Sequence, residues 1–217
     1  DAYLDSVPIV VFTGQVPTHL IGNDSFQETD TTGVTRSITK HNFLVQDVSE
    51  LARTVKQAYH IARTGRPGPV VVDLPKDVQM SEAPFVYPEE PGLDGYTVSG
   101  AATPSQVDRA AKMIEEADKP LLYVGGGTIN ADAPEALTEL ARKTNIPVTT
   151  TLHGLGAFPE TDDLALGWLG MHGFYHTNMA VQNADLIMAV GARFDDRVTG
   201  DVEEWAPNAK IIHVDID

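Results

Sequence analysis

Short apolar runs recur along the chain, separated by polar or amphipathic stretches. A run of Val, Leu, Ile and Met residues that ends at Gly or Pro is typical of a strand buried on both faces of a parallel sheet. We therefore predict buried strands at residues 8–12, 70–75 and 185–191, and further strands at 121–127, 146–152 and 210–216.

Between these runs, apolar residues recur at the spacing of an amphipathic helix. Asp47 or Ser49 can cap the first such helix and Gly65 can end it, and its apolar positions are Leu51, Val55, Ala58, Tyr59 and Ala62. Pro starts two further segments, as it often does in helices. We predict these helices at residues 104–117 and 134–143, with another at 175–183, and the end of a helix in the first residues of the chain.

The order of these elements predicts an α/β protein. Strands that alternate with helices form right-handed crossovers in a Rossmann-like, doubly wound parallel sheet. Residues 1–78 read as a smaller β–loop–α–β part, in which residues 14–30 form an irregular loop rich in Gly, Pro, Asn and Thr. The composition then changes to Pro, Glu, Gly and Ser without periodicity, which predicts a linker at 79–100 and a second domain at 101–217.

Composition excludes several classes of partner. Acidic residues outnumber basic ones by 31 to 15, giving a formal charge of −16, which argues against nucleic acid or an anionic membrane as a partner. The absence of cysteine excludes disulfides, zinc–thiolate sites and thiol nucleophiles.

We predict a cytoplasmic protein with no membrane span. The start lacks methionine and a signal pattern, and we interpret the sequence as an internal segment of a longer protein.

Glycine-rich loops follow successive strands of the predicted second domain. They contain Gly125 to Gly127, Thr151 to Gly154, and Gly191 with Ala192 and Arg193, and a further strand ends at Asp215. Such glycines serve either tight turns or the approach of a ligand to the backbone, and no G-x-G-x-x-G motif decides between these uses. Since carboxyl ends of parallel strands share one sheet edge, a nucleotide-type ligand is the better interpretation.

Other polar residues give weaker indications. His172 and His176 could share a helical face, but a third ligand is missing, so we predict no metal site. Met171, Phe174 and Tyr175 are interpreted as packing residues. Gln15 and Lys76 each follow a strand, although composition alone favours a solvated Lys76. No G-x-S-x-G or P-loop motif is present.

Several stretches together resemble the catalytic subunits of the acetolactate (acetohydroxyacid) synthase family of thiamine-diphosphate-dependent enzymes. They are GQVPTHLIGNDSFQETD, TRSITKHNFLV, GRPGPVVVDLPKDV, LLYVGGG, PVTTTLHGLGAFP, LGMHG and AVGARFDDRVTG. The resemblance implies the C-terminal half of a thiamine-pyrimidine-binding domain followed by most of a middle FAD-binding domain. It also implies condensation of two pyruvates, or of pyruvate and 2-ketobutyrate, with release of CO2.

The resemblance also assigns roles by position. Gln15 should lie near the reacting centre, and the substrate channel should include Val16, Pro17, Phe26, Gln27, Lys76, Met171 and Arg197. FAD should be contacted by Arg66, Gly126, Gly127, Thr151, Leu152, His153, Gly170, Met171, His172, Gly191, Ala192, Arg193, Asp195 and Asp215, within the wider segment 172–193. The parent would need thiamine diphosphate and Mg²⁺, form a dimer or tetramer, and pair with a small regulatory subunit.

Two alternatives stay open from the residues alone. One is a non-catalytic module that binds NAD or ADP, because its sheet edge would carry the same chemistry. The other is a different thiamine-diphosphate carboligase or decarboxylase. The family's activating glutamate and its G-D-G…N motif for Mg²⁺ and diphosphate are outside this sequence, so we predict that the 217-residue chain is inactive by itself.

Overall fold

The computed structural model describes residues 1–98 and 100–217; Ser99, in the predicted linker, is outside the described residues. The chain divides into two compact units. The first contains the residues up to Gly100 together with Asp217, and the second contains Ala101–Ile216. Among the described residues, no helix is long and apolar enough to cross a membrane.

The first unit is built on a parallel sheet with the strand order β1-β3-β2. Its elements are β1 (Val10–Gln15), α1 (Thr31–Thr35), β2 (His41–Leu44), α2 (Leu51–Arg63), β3 (Val70–Pro75) and α3 (Lys76–Met80), with 3₁₀ turns at Thr18–Leu20 and Val48–Glu50.

The central position of β3 explains its apolar sequence. Val70, Val71 and Val72 are buried on both faces between β1 and β2, as predicted. The prediction of a buried first strand is wrong, because β1 is an edge strand and Phe12 is 47% exposed. The β–loop–α–β reading also omitted β2, whose short HNFL sequence has no long apolar run.

Helix α2 agrees with its predicted span and end. Asp47 accepts a hydrogen bond from the Ser49 amide, and Gly65 follows the helix with a φ of +59°. Tyr59 is 53% exposed, so its placement on the buried face was wrong. The buried face of α2 instead includes Ile61, which lies on the other side of this face from Tyr59. The first residues of the chain form turns and not the predicted helix end.

The predicted linker packs on α2 within the first unit. Arg53 donates to the Gly92 carbonyl (2.8 Å), and Gln57 donates to the Pro91 carbonyl (2.9 Å). Between them, Lys56 donates to the carbonyls of Pro88 and Glu89, each at 2.5 Å. We call residues 87–96, which α2 holds in this way, the strap. The linker was predicted to begin at residue 79, but α3 continues to Met80.

The second unit contains a five-stranded sheet with the order β6-β5-β4-β7-β8, and every pairing is parallel. Its elements are α4 (Pro104–Glu116), β4 (Pro120–Val124), α5 (Gly126–Asn130), α6 (Pro134–Thr144), β5 (Val148–Thr150), β6 (Ala165–Trp168), α7 (Tyr175–Asn183), β7 (Leu186–Val190), α8 (Asp196–Thr199) and β8 (Lys210–Val214). The α/β class with a parallel sheet is confirmed, whereas α5, β6 and α8 were not predicted.

Alternate residues of β4 belong to different cores. Leu121 and Tyr123 pack in one cluster with Val181 of α7. Leu122 and Val124 pack in the other cluster with Leu137 and Ala141 of α6. Helices therefore cover both faces of β4, and this explains its unbroken apolar sequence.

Two adjacent threonines of β5 provide a matched test of buried hydroxyl groups. Thr149 donates to the Gly167 carbonyl at 2.9 Å, whereas within residues 1–98 and 100–217 the buried Thr150 hydroxyl has no hydrogen-bond partner. We expect Thr150→Val to raise the free energy of unfolding by about 1 kcal/mol, because it removes an unsatisfied buried group. Thr149→Val should lower it by about 1–2 kcal/mol, because the Gly167 carbonyl loses its donor. Urea denaturation measures both changes, and a shift of the same sign in the two variants contradicts the assignment.

Candidate functional site

The second unit has a topological switch point at the carboxyl ends of β4 and β7. From β4 the chain proceeds through β5 to β6 on one side, and β7 and β8 extend the sheet on the other side. Open α/β sheets bind ligands in the crevice outside such a point.

The structure brings the three glycine-rich loops together at this edge. The Gly127 amide donates to the Gly191 carbonyl, and the Thr151 amide donates to the Val124 carbonyl, both at 2.9 Å. The Thr151 hydroxyl in turn accepts from the Gly154 amide at 3.0 Å, which fixes the turn that carries Leu152 and His153.

Several of these glycines are required because the loops pack too closely for a side chain. A Cβ atom on Gly127 would lie 2.7 Å from the Gly191 Cα, and one on Gly125 would overlap the Gly191 carbonyl. A Cβ atom on Gly126 would lie 3.1 Å from the His153 carbonyl oxygen. Of the two uses that the sequence left open, tight packing between loops therefore accounts for these glycines.

The charged residues after β7 are held by one another and by a tyrosine. Arg193 pairs with Asp195 at 2.5 Å, and Asp195 also accepts from the Arg197 amide at 2.9 Å. The Tyr123 hydroxyl donates to the Arg193 carbonyl at 3.0 Å. Burial, with a contribution from Asp195, raises the pKa of Tyr123 far above its ordinary value, so the phenol remains a donor throughout the physiological range.

A histidine connects Ala192 with Asp215. Nε2 of His213 lies 2.9 Å from the Ala192 carbonyl oxygen and 3.6 Å from a carboxylate oxygen of Asp215. Since both neighbours are acceptors, Nε2 carries the hydrogen. Phe194 packs edge-on against the same imidazole, with ring centroids 5.2 Å apart, so the 191–195 loop has a rigid support.

The Gly170 loop lies against α8. Asn178 of α7 donates to the Gly170 carbonyl (2.9 Å) and accepts from its amide (2.8 Å). The Met171 amide then donates to the Arg197 carbonyl at 2.8 Å. Met171 and Arg197, both assigned to the channel by resemblance, are therefore neighbours, and the Met171 side chain is 60% exposed.

Two interpretations of the 171–176 segment are corrected here. Tyr175 is 80% exposed, and Met171 and Phe174 are also exposed, so these residues do not pack in the core. Helix α7 begins at Tyr175, so His172 and His176 do not share a helical face. Nowhere in the described part of the chain do three or more His, Cys, Asp or Glu side chains group as metal ligands would.

In the first unit, Gln15 is the last residue of β1, and the NH2 group of its side-chain amide makes two hydrogen bonds. Nε2 donates to the Thr29 carbonyl at 2.7 Å and to an Asp73 carboxylate oxygen at 3.0 Å. Oε1 accepts from the Val16 amide at 2.9 Å. The side chain predicted to face a reacting centre is therefore held in one orientation.

The loop after Gln15 is hydrogen-bonded to α3, the short helix that follows β3. Asp77 accepts from the amide (3.0 Å) and the hydroxyl (2.5 Å) of Thr18, and these hydrogen bonds lower the Asp77 pKa. This contact fixes Val16 and Pro17, which are half-buried, while neighbouring Lys76 is exposed.

The remaining predicted residues of this unit lie in two other places. Phe26 is exposed, and Gln27 follows it with a φ of +61° in a loop that Glu28 closes by accepting from the Gly22 and Ser25 amides. Arg66 donates to the Ser6 hydroxyl at 3.0 Å and to the Leu4 carbonyl at 3.1 Å. The Thr29 carbonyl that accepts from Gln15 lies two residues after Gln27, whereas no hydrogen bond among the described residues joins Arg66 to Gln15.

Sequence reasoning missed the residues that support the predicted ones. Three of them share a signal, a polar side chain inside an otherwise apolar strand: Asp73, Tyr123 and His213. Asn178 lies on α7, which has no clear apolar face. Asp77, in the PKD stretch after β3, had no such signal.

Comparisons with known proteins agree with the resemblance. The family model described as thiamine pyrophosphate enzyme, central domain, matches residues 107–217. The chain is 54% identical to the acetolactate synthase large subunit of Corynebacterium glutamicum over 217 residues, which is 100% of this chain and 35% of that protein. It is 48% identical to the large subunit of acetolactate synthase isozyme 3 of Escherichia coli over 218 residues (100% and 38%). It is 52% identical to the chloroplastic acetolactate synthase 1 of Zea mays over 219 residues (100% and 34%). The chain thus spans about a third of the length of these relatives.

Proposed function

Since the chain belongs to the family of thiamine pyrophosphate enzymes, we propose that it is part of the catalytic large subunit of an acetolactate synthase. The observation that carries this proposal is identity of 48–54% to such subunits over the whole chain, across both units. The family match covers only residues 107–217 and leaves out the first unit. Because other thiamine pyrophosphate enzymes share this central domain, the match alone does not single out an acetolactate synthase.

The proposed reaction joins two 2-keto acids. Two pyruvate ions and one proton give acetolactate and CO2, and 2-ketobutyrate as the second keto acid gives acetohydroxybutyrate. This is the first common step of branched-chain amino-acid biosynthesis. Thiamine diphosphate, held with Mg²⁺ in the parent, supplies the electron sink for decarboxylation, and the protein binds and orients the reactants.

We assign the first unit to recognition of the thiamine pyrimidine and the substrate. Gln15, fixed by Asp73, faces the reacting centre. Val16, Pro17, Phe26, Gln27 and Lys76 contribute to the substrate channel, and Lys76 supplies an exposed ammonium that suits the carboxylate of a 2-keto acid. The resemblance to the family is also our reason to assign Met171 and Arg197 of the second unit to substrate contacts.

We assign the second unit to FAD. Its residues fit a flavin dinucleotide in four respects. The crevice lies at a switch point. Arg193 has 48% of its side chain exposed and pairs with Asp195 through one nitrogen, which leaves other guanidinium N–H groups for a phosphate. Leu152 and Met171 are each 60% exposed and offer apolar cover for a flat ring. Asp215 stands at the end of β8, where such folds place the acid that binds a ribose.

Titration calorimetry of this chain with FAD, and with NAD and ADP as competitors, tests the assignment of the second unit. We expect saturable binding of FAD that is tighter than binding of NAD or ADP. Preference for NAD or ADP would instead support the non-catalytic nucleotide module.

Two arginine variants sharpen this titration. Arg193→Met should weaken FAD binding by about tenfold, the effect of losing one charge-assisted hydrogen bond. Arg142→Met is the matched control, because Arg142 is also half-exposed and pairs with Asp162 at 3.0 Å, but lies on α6 outside the three loops. An equal effect of both variants would contradict the assignment.

The parent enzyme is proposed to be a cytoplasmic homo-oligomer with a small regulatory subunit. Sedimentation of the parent with and without that subunit tests the last two statements.

A further inference from the structure

Asp73 is a buried carboxylate whose partners come from the neighbouring strand. Its side chain is in the middle of the first unit's sheet, where Thr13 of β1 and Leu44 of β2 are its register partners, and the residue is only 1% exposed. Thr13 donates to Oδ1 at 2.7 Å and Gln15 donates to Oδ2 at 3.0 Å. Both donors are neutral, so these bonds must offset much of the cost of burying the carboxylate.

The contacts of Gln15 determine which atom of its amide is which. Nε2 faces the Thr29 carbonyl and the Asp73 carboxylate, and Oε1 faces the Val16 amide. The reversed amide would place an oxygen against two acceptors and an NH2 group against a donor. Both hydrogens of Nε2 are therefore used, and the remaining capacity of the side chain is a lone pair on Oε1.

We propose that Asp73 is a positioning residue that presents Gln15 to bound reactants as a hydrogen-bond acceptor only. The functional part of this inference rests on the proposed function, in which Gln15 faces the reacting centre. The oxygens of an ionised 2-keto acid are themselves acceptors. Gln15 therefore selects a group that carries a hydrogen, such as an N–H or a hydroxyl, and does not bind the unprotonated keto and carboxylate oxygens.

Exchange of the Gln15 side-chain amide with deuterium tests the positioning without a variant. In the ¹⁵N-labelled chain we expect the Gln15 NH2 group to exchange at least about tenfold more slowly than that of exposed Gln27, because both of its hydrogens are bonded. Equal exchange rates would overturn the proposal.

Variants at Asp73 identify the acceptor. Asp73→Leu should speed exchange of the Gln15 amide by about tenfold, since one acceptor is lost. Asp73→Asn should largely preserve protection, because the asparagine amide can turn its oxygen to Gln15 and donate to Thr13, whose hydroxyl can also accept. Thr13→Val is the control that removes the other bond of Asp73 and should leave Gln15 protected. Unchanged protection in Asp73→Leu would overturn the proposal.

Kinetics of the parent separate this inference from the proposed function. With pyruvate, Asp73→Leu should lower kcat by about tenfold and change KM less, while Asp73→Asn restores most of kcat. If Gln15 is released in Asp73→Leu and kcat is unchanged, the positioning by Asp73 stands and the assignment of Gln15 to the reacting centre is wrong. A loss of kcat with full protection of Gln15 would overturn the role of Asp73 instead.

Discussion

Gly191→Ala is expected to destabilise the second unit by about 3–5 kcal/mol, enough to unfold much of it. Gly191 has a φ of +57°, and a Cβ atom there would lie 2.6–2.7 Å from the C and Cα atoms of Gly127. These atoms are backbone, so no side-chain rotation can relieve the contact. They are also held, since the Gly127 amide donates to the Gly191 carbonyl and the Gly191 amide donates to the Val214 carbonyl, each at 2.9 Å.

The control for this variant is Gly156→Ala. Gly156 is in the same unit and also has a positive φ, +94°, but a Cβ atom there would meet nothing within 4 Å. Its substitution should cost about 1–2 kcal/mol from backbone strain alone. Urea denaturation followed by circular dichroism measures both variants. Similar losses in the two would show that the loops do not pack as tightly as the structure indicates.

The longer helices α4 and α6 of the second unit could be predicted because local signals mark their ends, whereas the short α5 and α8 could not. Helix α4 was expected at 104–117 and spans Pro104–Glu116, with Thr103 and Gln106 forming a capping box before its first turn. Helix α6 likewise begins at Pro134 and ends with Asn145 in a left-handed conformation. Such caps act through the neighbouring residues alone, so their sequence is sufficient.

Strand burial could be predicted only where the strand is central. Apolar runs at β3 and β4 correspond to strands paired on both sides, but the similar run at β1 forms an exposed edge. Nothing local distinguishes the two, because the number of neighbouring strands is a property of the sheet. Strand β6 was missed since its ALGW sequence contains a glycine with a φ of +72° and no continuous apolar run.

The candidate site, too, has some features that the sequence predicts and others that depend on the assembled sheet. Loops after parallel strands were expected at one edge because parallel strands end on the same side, and contacts among the Gly127, Thr151 and Gly191 loops place them there. Supports such as Asp73 and His213 depend on cross-strand register and on partners far away in sequence. The sequence of a strand shows that these residues are polar, but it does not show which groups they hydrogen-bond.

Lys40→Met is expected to destabilise the first unit by about 2–4 kcal/mol. The Lys40 ammonium donates to the Ile61 carbonyl at 2.5 Å, to the Thr64 carbonyl and to the Tyr96 hydroxyl at 3.1 Å. The two carbonyls belong to the C-terminal end of α2, where they have no acceptor role within the helix and where a cation complements the helix dipole. Methionine retains the packing of the stem but leaves these carbonyls without a charged donor.

This variant should also loosen the strap, because Tyr96 loses its contact with Lys40. Urea denaturation gives the stability change, and limited proteolysis within residues 87–96 reports the release of the strap. Lys76→Met is the control: Lys76 is exposed at the start of α3, so its replacement should change stability by no more than about 0.5 kcal/mol. If the two lysine variants were equally stable and equally resistant to cleavage, the carbonyls at the end of α2 would not depend on Lys40, and the strap would be held without it, by the contacts of Arg53, Lys56, Gln57 and Thr64.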